Sequence, residues 1–322
     1  KKQLLIAAVA ATMGTAAMAD VSITGDAKFE YFNTETSTVS TNKTNTEVNL
    51  GIKGKNGDTT VVANLEFNTH DAASNMDIED LYMTTKIGDV TVKGGNYATG
   101  TSAILGEIEN GGRASNKVTL SGSNGGVSWY LGNSGSAGEG AMQINGNMFV
   151  GASMDVAGWK VQAKHNSATV DSFGISGEVS GVGIRLEQKN DTAANGDTTF
   201  GNVTYSTNGI DLAYAWLDSD KANQIDEDDS AIFAVENGIV TATTDTGNAQ
   251  ITAKTSVAGN TVTVKSGSVE NGIATGTDLD YTQIAVSRPL ASGATFAATY
   301  TDKDDSATTD TQILELDLSV KF

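Results

Sequence analysis

The chain has 322 residues with 36 glycines, one proline and no cysteine, and its formal net charge is −19 at pH 7. The lack of cysteine excludes a disulfide framework, a thiol nucleophile and paired-cysteine metal sites. So acidic a chain is also a poor partner for nucleic acid, whose phosphates require a basic surface. Its richness in glycine, threonine, serine, asparagine and valine suits many strands joined by turns.

The first 19 residues have the pattern of a cleaved export signal. Lys1 and Lys2 supply a positive start, residues 4–11 form a short apolar run, and residues 17–19 form a small-x-small cleavage site. The apolar run falls short of the roughly 20 residues that a transmembrane helix needs. We therefore expect residues 1–19 to be a signal peptide and 20–322 to form one exported domain.

From residue 20 onward, apolar and polar side chains alternate with a period of two, which is typical of strands with one apolar face. In the first segment, for example, Ile23 and Phe29 alternate with Thr24 and Lys28. The pattern predicts sixteen strands, near residues 20–34, 47–53, 61–67, 81–87, 90–97, 116–122, 127–133, 142–156, 159–167, 172–180, 183–190, 198–207, 210–217, 279–288, 294–302 and 312–322.

The connections between these strands alternate between short and mostly long, as in an up-and-down barrel whose termini lie at the same end. The longest connection, 218–278, contains two further hairpin signals, at Asn237-Gly238 and at Gly259-Asn260. The second pair of strands is long enough to span, which gives an alternative of eighteen strands. Because the face of residues 249–257 is only weakly apolar, the main expectation is a long extracellular loop that carries β-hairpins.

The last eleven residues place every apolar side chain on one face of a strand. A half-buried strand of a soluble sheet would alternate in the same way, but so apolar an edge strand would invite aggregation. A membrane strand needs this pattern, because one face meets lipid and the other meets a polar lumen. The stretch resembles the C-terminal signature of Gram-negative outer-membrane β-barrels, which implies recognition by the barrel-assembly machinery through Leu314, Leu316, Leu318, Val320 and Phe322.

Residues 80–97 are similar to the hairpin of the fourth and fifth strands in the general porins of Gram-negative outer membranes. The resemblance implies a transmembrane antiparallel β-barrel that forms homotrimers among outer-membrane lipids and lipopolysaccharide. It also implies that the next loop, 98–115, folds inward and narrows the pore. Lys93 stands where many relatives carry an arginine, so the charge is kept and the bidentate fork is lost.

Side chains on the polar face are expected to point into the lumen, where charges that a soluble core would exclude are solvated. By parity these are Asp26, Lys28, Glu30, Glu66, Tyr82, Lys86, Lys93, Tyr97, Lys117, Arg185, Glu187 and Lys189. General porins set loop carboxylates against a basic wall at the narrowest point. The resemblance therefore assigns the pore constriction to Glu107, Glu109, Arg113, Lys28, Lys93, Lys117 and Tyr97. A polar lumen without ordered pairing is the alternative.

Catalysis has little support, since His70 and His165 lie in different predicted hairpins and no phosphate-binding glycine loop or zinc motif is present. The acidic run 218–229 lacks the ligand spacing of a calcium loop. We expect no enzyme activity, no cofactor and no metal, but an outer-membrane channel for passive diffusion of small hydrophilic solutes with a modest cation preference. The alternative is a secreted or surface-anchored β-rich structural protein, such as an adhesin or S-layer-like subunit.

Overall fold

The computed structural model describes residues 20–69, 76–97, 114–133, 148–166, 170–191, 196–220, 246–270, 278–305 and 310–322. In this part of the chain every strand pairs antiparallel with the next, and the last strand pairs with the first, so the sheet closes into an 18-stranded up-and-down barrel. None of these residues forms a helix long and apolar enough to cross a membrane.

The strands of the barrel wall follow chain order without a crossover. They are β1 (Asp20–Thr36), β2 (Ser40–Asn56), β3 (Thr59–Asn68), β4 (Asp77–Ile87), β5 (Val90–Tyr97), β6 (Ala114–Asn124), β7 (Val127–Asn133), β8 (Met148–Val156), β9 (Trp159–Asn166), β10 (Val170–Val179), β11 (Val182–Asp191), β12 (Gly196–Thr207), β13 (Ile210–Ser219), β14 (Thr246–Val257), β15 (Asn260–Glu270), β16 (Leu279–Pro289), β17 (Ala294–Asp305) and β18 (Thr311–Lys321).

The main prediction of sixteen strands is wrong, and the alternative of eighteen is confirmed. Residues 218–278 are not one loop, because they contain the wall strands β14 and β15. β14 pairs along its length with β13 and β15, and β15 pairs with β16. The weakly apolar face misled the prediction because backbone pairing, rather than a large apolar side chain at each position, makes a strand part of the wall.

The closing seam joins β1 to β18 along eleven paired positions, from Asp26 opposite Lys321 to Thr36 opposite Thr311. Phe322 extends this seam by one residue. Its N–H donates to the Gly25 carbonyl at 2.9 Å, and the Gly25 N–H donates to its carbonyl at 2.8 Å. The seam thus satisfies backbone groups that an open edge would leave unpaired.

Eight short turns lie at one end of the barrel, which we name the turn end; the opposite end is the loop end. At five of these turns both central residues have positive φ, as type I′ hairpin turns require. A glycine follows a non-glycine residue in four of them, for example Asn208-Gly209 with φ of 51° and 76°. This backbone twist matches the twist of the paired strands, so the hairpins can be short.

Apolar side chains cover the outside of the barrel. On β1 the exposed large residues are Val21, Ile23 and Phe29, while Glu30 on the opposite face is 6% exposed. The same alternation places the aliphatic and aromatic residues of the other strands outside, including Met83, Leu131, Val150, Met154, Phe173, Leu186, Tyr205, Leu212, Tyr214, Ile251, Val264, Ile284, Phe296, Tyr300, Leu318 and Val320. The barrel is therefore inverted relative to a soluble protein, with its apolar surface outward.

Aromatic rings lie over glycines of the neighbouring strand. A Cβ at Gly201 would fall 2.0 Å from the Trp216 ring, and Cβ atoms at Gly122 and Gly177 would meet Trp129 and Trp159. Each of the chain's three tryptophans thus occupies the space above a glycine. These three positions require glycine because a larger residue would clash with the ring that lies over them.

We expect Gly201→Val to lower the thermal stability of the barrel, because overpacking typically destabilises by about 1–3 kcal/mol. The control is Gly54→Val, since nothing lies within 4 Å of a Cβ built at that position. Gel mobility of detergent-extracted protein, heated in steps, measures the unfolding midpoint. Equal midpoints for the two variants would contradict the packing argument.

We expect Phe322→Ser to reduce the amount of assembled barrel, because it removes the ring that lies 2.9 Å from the Cβ position of Gly25 at the closing seam. Leu290→Ser is a matched control, since Leu290 is another exposed apolar residue in a turn at the same end. The yield of heat-modifiable protein in the outer-membrane fraction is the measurement. An undiminished yield for Phe322→Ser would show that the seam does not need the ring.

Candidate functional site

The inner face of the barrel carries the charged and amide side chains, and it divides into three sectors. The acidic sector lies on β18 and β1–β4 and contains Asp26, Glu30, Glu47, Glu66, Asp80, Glu315 and Asp317. The basic sector lies on β5–β11 and contains Lys93, Lys117, Lys164, Arg185 and Lys189, together with one carboxylate, Glu187. The neutral sector lies on β12–β16 and contains Phe200, Leu217, Asn248, Val269, Leu279 and Tyr281, while Lys254 and Lys265 lie on the inner face of the same strands nearer the turn end.

Asparagine amides hold the carboxylates of the acidic sector. Asn45 donates to Glu30 at 2.8 Å, and Asn64 donates to Asp80 at 2.9 Å. Two further contacts, at 2.6 Å each, join Asn49 to Glu47 and Asn68 to Glu66. An amide donor stabilises an anion without cancelling its charge. These carboxylates are therefore held in place on the inner wall.

Three carboxylates converge at the seam between β1 and β18. Ligand atoms of Glu30, Glu315 and Asp317 lie within 4.8 Å of one another, the one such grouping among the residues that the structure describes. Glu30 already forms an ion pair with Lys28 and accepts the Asn45 amide. These two contacts compete with any ion, so the spacing alone does not make this trio a metal centre.

Lys93, Lys117 and Lys164 of the basic sector lie near aromatic rings. The Lys164 Nζ atom is 5.4 Å from the Phe149 ring centroid, and the Lys117 Nζ atom is 5.7 Å from that of Tyr97. Lys164 also interacts electrostatically with Lys117 and Lys189, which repel it, and with Glu187, which attracts it. Several positive charges are thus close together on one wall, and Glu187 and the negative faces of the rings partly compensate them.

The neutral sector buries its side chains although they face the barrel interior. Phe200, Leu217, Asn248, Val269 and Leu279 follow one another across five paired strands, and each is at most 3% exposed. This row lies at the loop end.

A second row of the neutral sector lies one step toward the turn end. There the Tyr281 hydroxyl donates to Gln250 at 2.8 Å. The Tyr281 side chain reaches Gln250 by passing over Gly267, where a Cβ atom would fall 2.6 Å from the Tyr281 hydroxyl. The glycine leaves room for a hydrogen bond that spans two strand intervals.

The structure brings together three residues of the predicted constriction and separates a fourth from them. Tyr97, Lys93 and Lys117 lie on the adjacent strands β5 and β6, with their side chains in contact. Lys28 lies in the acidic sector and pairs with Glu30. The remaining predicted members, Glu107, Glu109 and Arg113, lie outside the described residues.

Sequence reasoning missed the asparagines that hold the acidic sector, the lysine Lys164 and the neutral sector. The available signal for these asparagines was their place on the polar face of a strand, next to a strand that carries carboxylates. Only the register between the two strands shows which asparagine meets which carboxylate. His165 lies outside the lumen: its Nδ1 atom is 2.6 Å from Asp171, and both side chains are exposed on the outer wall. His70 lies outside the described residues.

Comparison with solved structures identifies the fold. The chain is similar to OpdK, an outer membrane protein of Pseudomonas aeruginosa also solved with vanillate, at a TM-score of 0.68 and 11% identity, over 94% of this chain and 98% of that one. It is also similar to OccAB4 of Acinetobacter baumannii, at a TM-score of 0.65 and 9% identity, over 94% and 98% of the two chains.

OccK9 (OpdG) of Pseudomonas aeruginosa is similar at a TM-score of 0.64 and 12% identity, over 94% of this chain and 99% of that one. No protein-family model and no curated protein match the sequence. Identities this low establish a common fold and not a common activity. The chain therefore has, over nearly its whole length, the β-barrel fold that these bacterial proteins share.

Proposed function

We propose that the protein is an outer-membrane porin, a water-filled channel for passive diffusion of small hydrophilic solutes and ions. The observation that carries this proposal is a closed barrel with an apolar exterior and a charged interior. Hydrocarbon cannot satisfy unpaired backbone groups, so a spanning sheet must close. An adhesin or S-layer-like subunit works in water and does not require a closed wall with an apolar outer surface.

An acidic collar lies on one side of the outer wall at the loop end, above the apolar belt. It consists of exposed, outward-facing carboxylates on β12–β17, namely Asp197, Asp218, Glu270, Asp280, Asp302 and Asp304. Such charges belong in water rather than hydrocarbon, which supports an orientation with the loop end at the lipid headgroups. In this orientation, we propose lipopolysaccharide and outer-membrane lipids as the partners of the outer wall.

The remaining parts of the proposal follow from the likeness to general porins. Residues 1–19 direct export and are removed, the barrel-assembly machinery inserts the domain, and the barrels associate as homotrimers. Residues 98–115 narrow the pore, with Glu107, Glu109 and Arg113 facing the wall that carries Lys93, Lys117 and Tyr97. We assign the protein no catalytic role, no cofactor and no metal.

We also propose a modest cation preference. The formal net charge is −19, and the collar concentrates cations at the mouth through a long-range field. That field weakens with salt, since the Debye length is about 8 Å at physiological ionic strength. Inside the barrel, the amide-held carboxylates of the acidic sector oppose the lysines of the basic sector.

The purified, unboiled protein is expected to insert into planar bilayers and give stable stepwise conductance, because the barrel encloses a charged lumen. Boiled protein, whose slower gel mobility marks the opened barrel, is the control and should give no steps. A folded, heat-modifiable barrel that never conducts would contradict the channel.

We expect the double change Glu47→Gln with Glu66→Gln to move the zero-current potential in a salt gradient toward anions, because it removes two lumen carboxylates and keeps their shape. Asp302→Asn with Asp304→Asn on the collar is the control, and its smaller shift should vanish near 1 M salt, where the Debye length is about 3 Å. Glu107→Gln with Glu109→Gln tests the loop in the same way. Potentials that stay at the wild-type value in all three variants would show that these carboxylates do not set the selectivity, and a wild-type potential on the anion side would refute the cation preference.

A further inference from the structure

The Lys93 ammonium lies between two tyrosine rings of the barrel interior. Its Nζ atom is 3.7 Å from the Tyr82 ring centroid and 4.0 Å from the Tyr97 ring centroid. The two rings are 5.8 Å apart and meet edge to face at 71°. Both distances are well inside the roughly 6 Å within which a ring face attracts a cation.

The backbone builds this arrangement around Gly95. Tyr82 pairs with Gly95 across β4 and β5, and Lys93 and Tyr97 flank the glycine on the same inner face. A Cβ at Gly95 would fall 2.3 Å from the Leu81 carbonyl oxygen, and its φ of +142° favours glycine as well. Because Gly95 has no side chain, Tyr82 on the opposite strand can reach the Lys93 ammonium.

Tyr97 is the fixed wall of the pair. It is 2% exposed, and its hydroxyl lies 2.7 Å from the Thr119 hydroxyl. A bulge after Gly95 sets Tyr97 opposite Ala114. Tyr82 is half-buried and closes the other side. The ammonium is therefore held between an anchored ring and a partly accessible one.

The charges around Lys93 do not by themselves hold it in place. Asp80, on β4, attracts the ammonium, whereas Lys117, on β6, repels it. Asp80 is also engaged by the Asn64 amide. With opposing influences from its two neighbours, a lysine on a flexible four-carbon stem would otherwise extend toward solvent.

We propose that Tyr82 and Tyr97 are positioning residues that hold the Lys93 ammonium against the wall and thereby set ion selectivity at the boundary between the acidic and basic sectors. This rests on the proposed channel function. Held between the rings, the charge is fixed and partly compensated by their negative faces. Released into the lumen, it would repel cations and attract anions.

The first test compares single variants in planar bilayers under a potassium chloride gradient. Tyr82→Leu should shift the zero-current potential toward anions, whereas Tyr82→Phe should keep the wild-type value because phenylalanine retains the ring face. Tyr205→Leu, the same change on the outer wall, is the control and should shift nothing. A Tyr82→Leu channel that matches wild type would overturn the proposal, and so would a Tyr82→Phe channel that matches Tyr82→Leu.

A double-mutant cycle separates positioning from a structural effect. Lys93→Met should shift the potential toward cations, and adding Tyr82→Leu to it should cause no further shift. An equal Tyr82→Leu shift with and without Lys93 would mean that the tyrosine acts by another route. Tyr82→Met replaces Tyr82→Leu if the leucine variant does not fold. A wild-type protein without conductance would refute the channel, whereas a conducting one with no coupling refutes this inference alone.

An added amine supplies an independent readout. Lys93→Ala should leave a vacant site between the two rings beside Asp80, which propylammonium fits. We expect half-block by propylammonium at a concentration about fivefold lower in Lys93→Ala than in Lys93→Ala with Tyr82→Leu, the effect of one partly exposed cation–π contact. Equal half-blocking concentrations would show that the rings do not bind a cation.

Discussion

Backbone hydrogen bonding around a closed sheet is the constraint on which the rest of this molecule depends. Each of the 18 strands has two antiparallel neighbours, and β1 closes onto β18 through Phe322 and Gly25. In hydrocarbon an unpaired N–H or C=O costs several kcal/mol. Every strand must therefore have its backbone hydrogen bonds satisfied on both sides, whatever side chains it carries. This explains how β14, with its small and weakly apolar residues, serves as a full member of the wall.

Closure assigns opposite chemistries to the two faces of every strand. Apolar side chains dominate the belt of the outer face, and rings such as that of Trp216 cover glycines such as Gly201 there. The inner face does not meet hydrocarbon, so charged and amide side chains can lie there. The separation into acidic, basic and neutral sectors is therefore a property of the inner face alone.

The charged sectors differ in how they hold their charges. Carboxylates such as Glu30 and Glu66 accept hydrogen bonds from neutral amides, which order them without pairing them with an opposite charge at that contact. Lysines such as Lys93 and Lys164 face aromatic rings, which attract an ammonium without neutralising it. Opposed walls of fixed charge set a field across the lumen, and this field is built from the barrel strands themselves.

The sequence by itself determined the features that depend on local periodicity. Alternation identified both faces of most strands, the glycine turns at one end, and the inward positions of Lys93, Tyr97 and Lys117, because a strand repeats every two residues. The same periodicity marked residues 248–257 and 261–267 as strands, and only their hydrogen-bonded neighbours decided that they belong to the wall.

Tertiary structure decided which inward residues meet. Lys28 pairs with Glu30, two residues away on the same face of β1, whereas the strand order places Lys93 on β5, four strands along the wall. The ring pair of Tyr82 and Tyr97 around Lys93 likewise requires Gly95 opposite Tyr82. Register is fixed by turn geometry and by the closure of the whole sheet, so no single segment contains it.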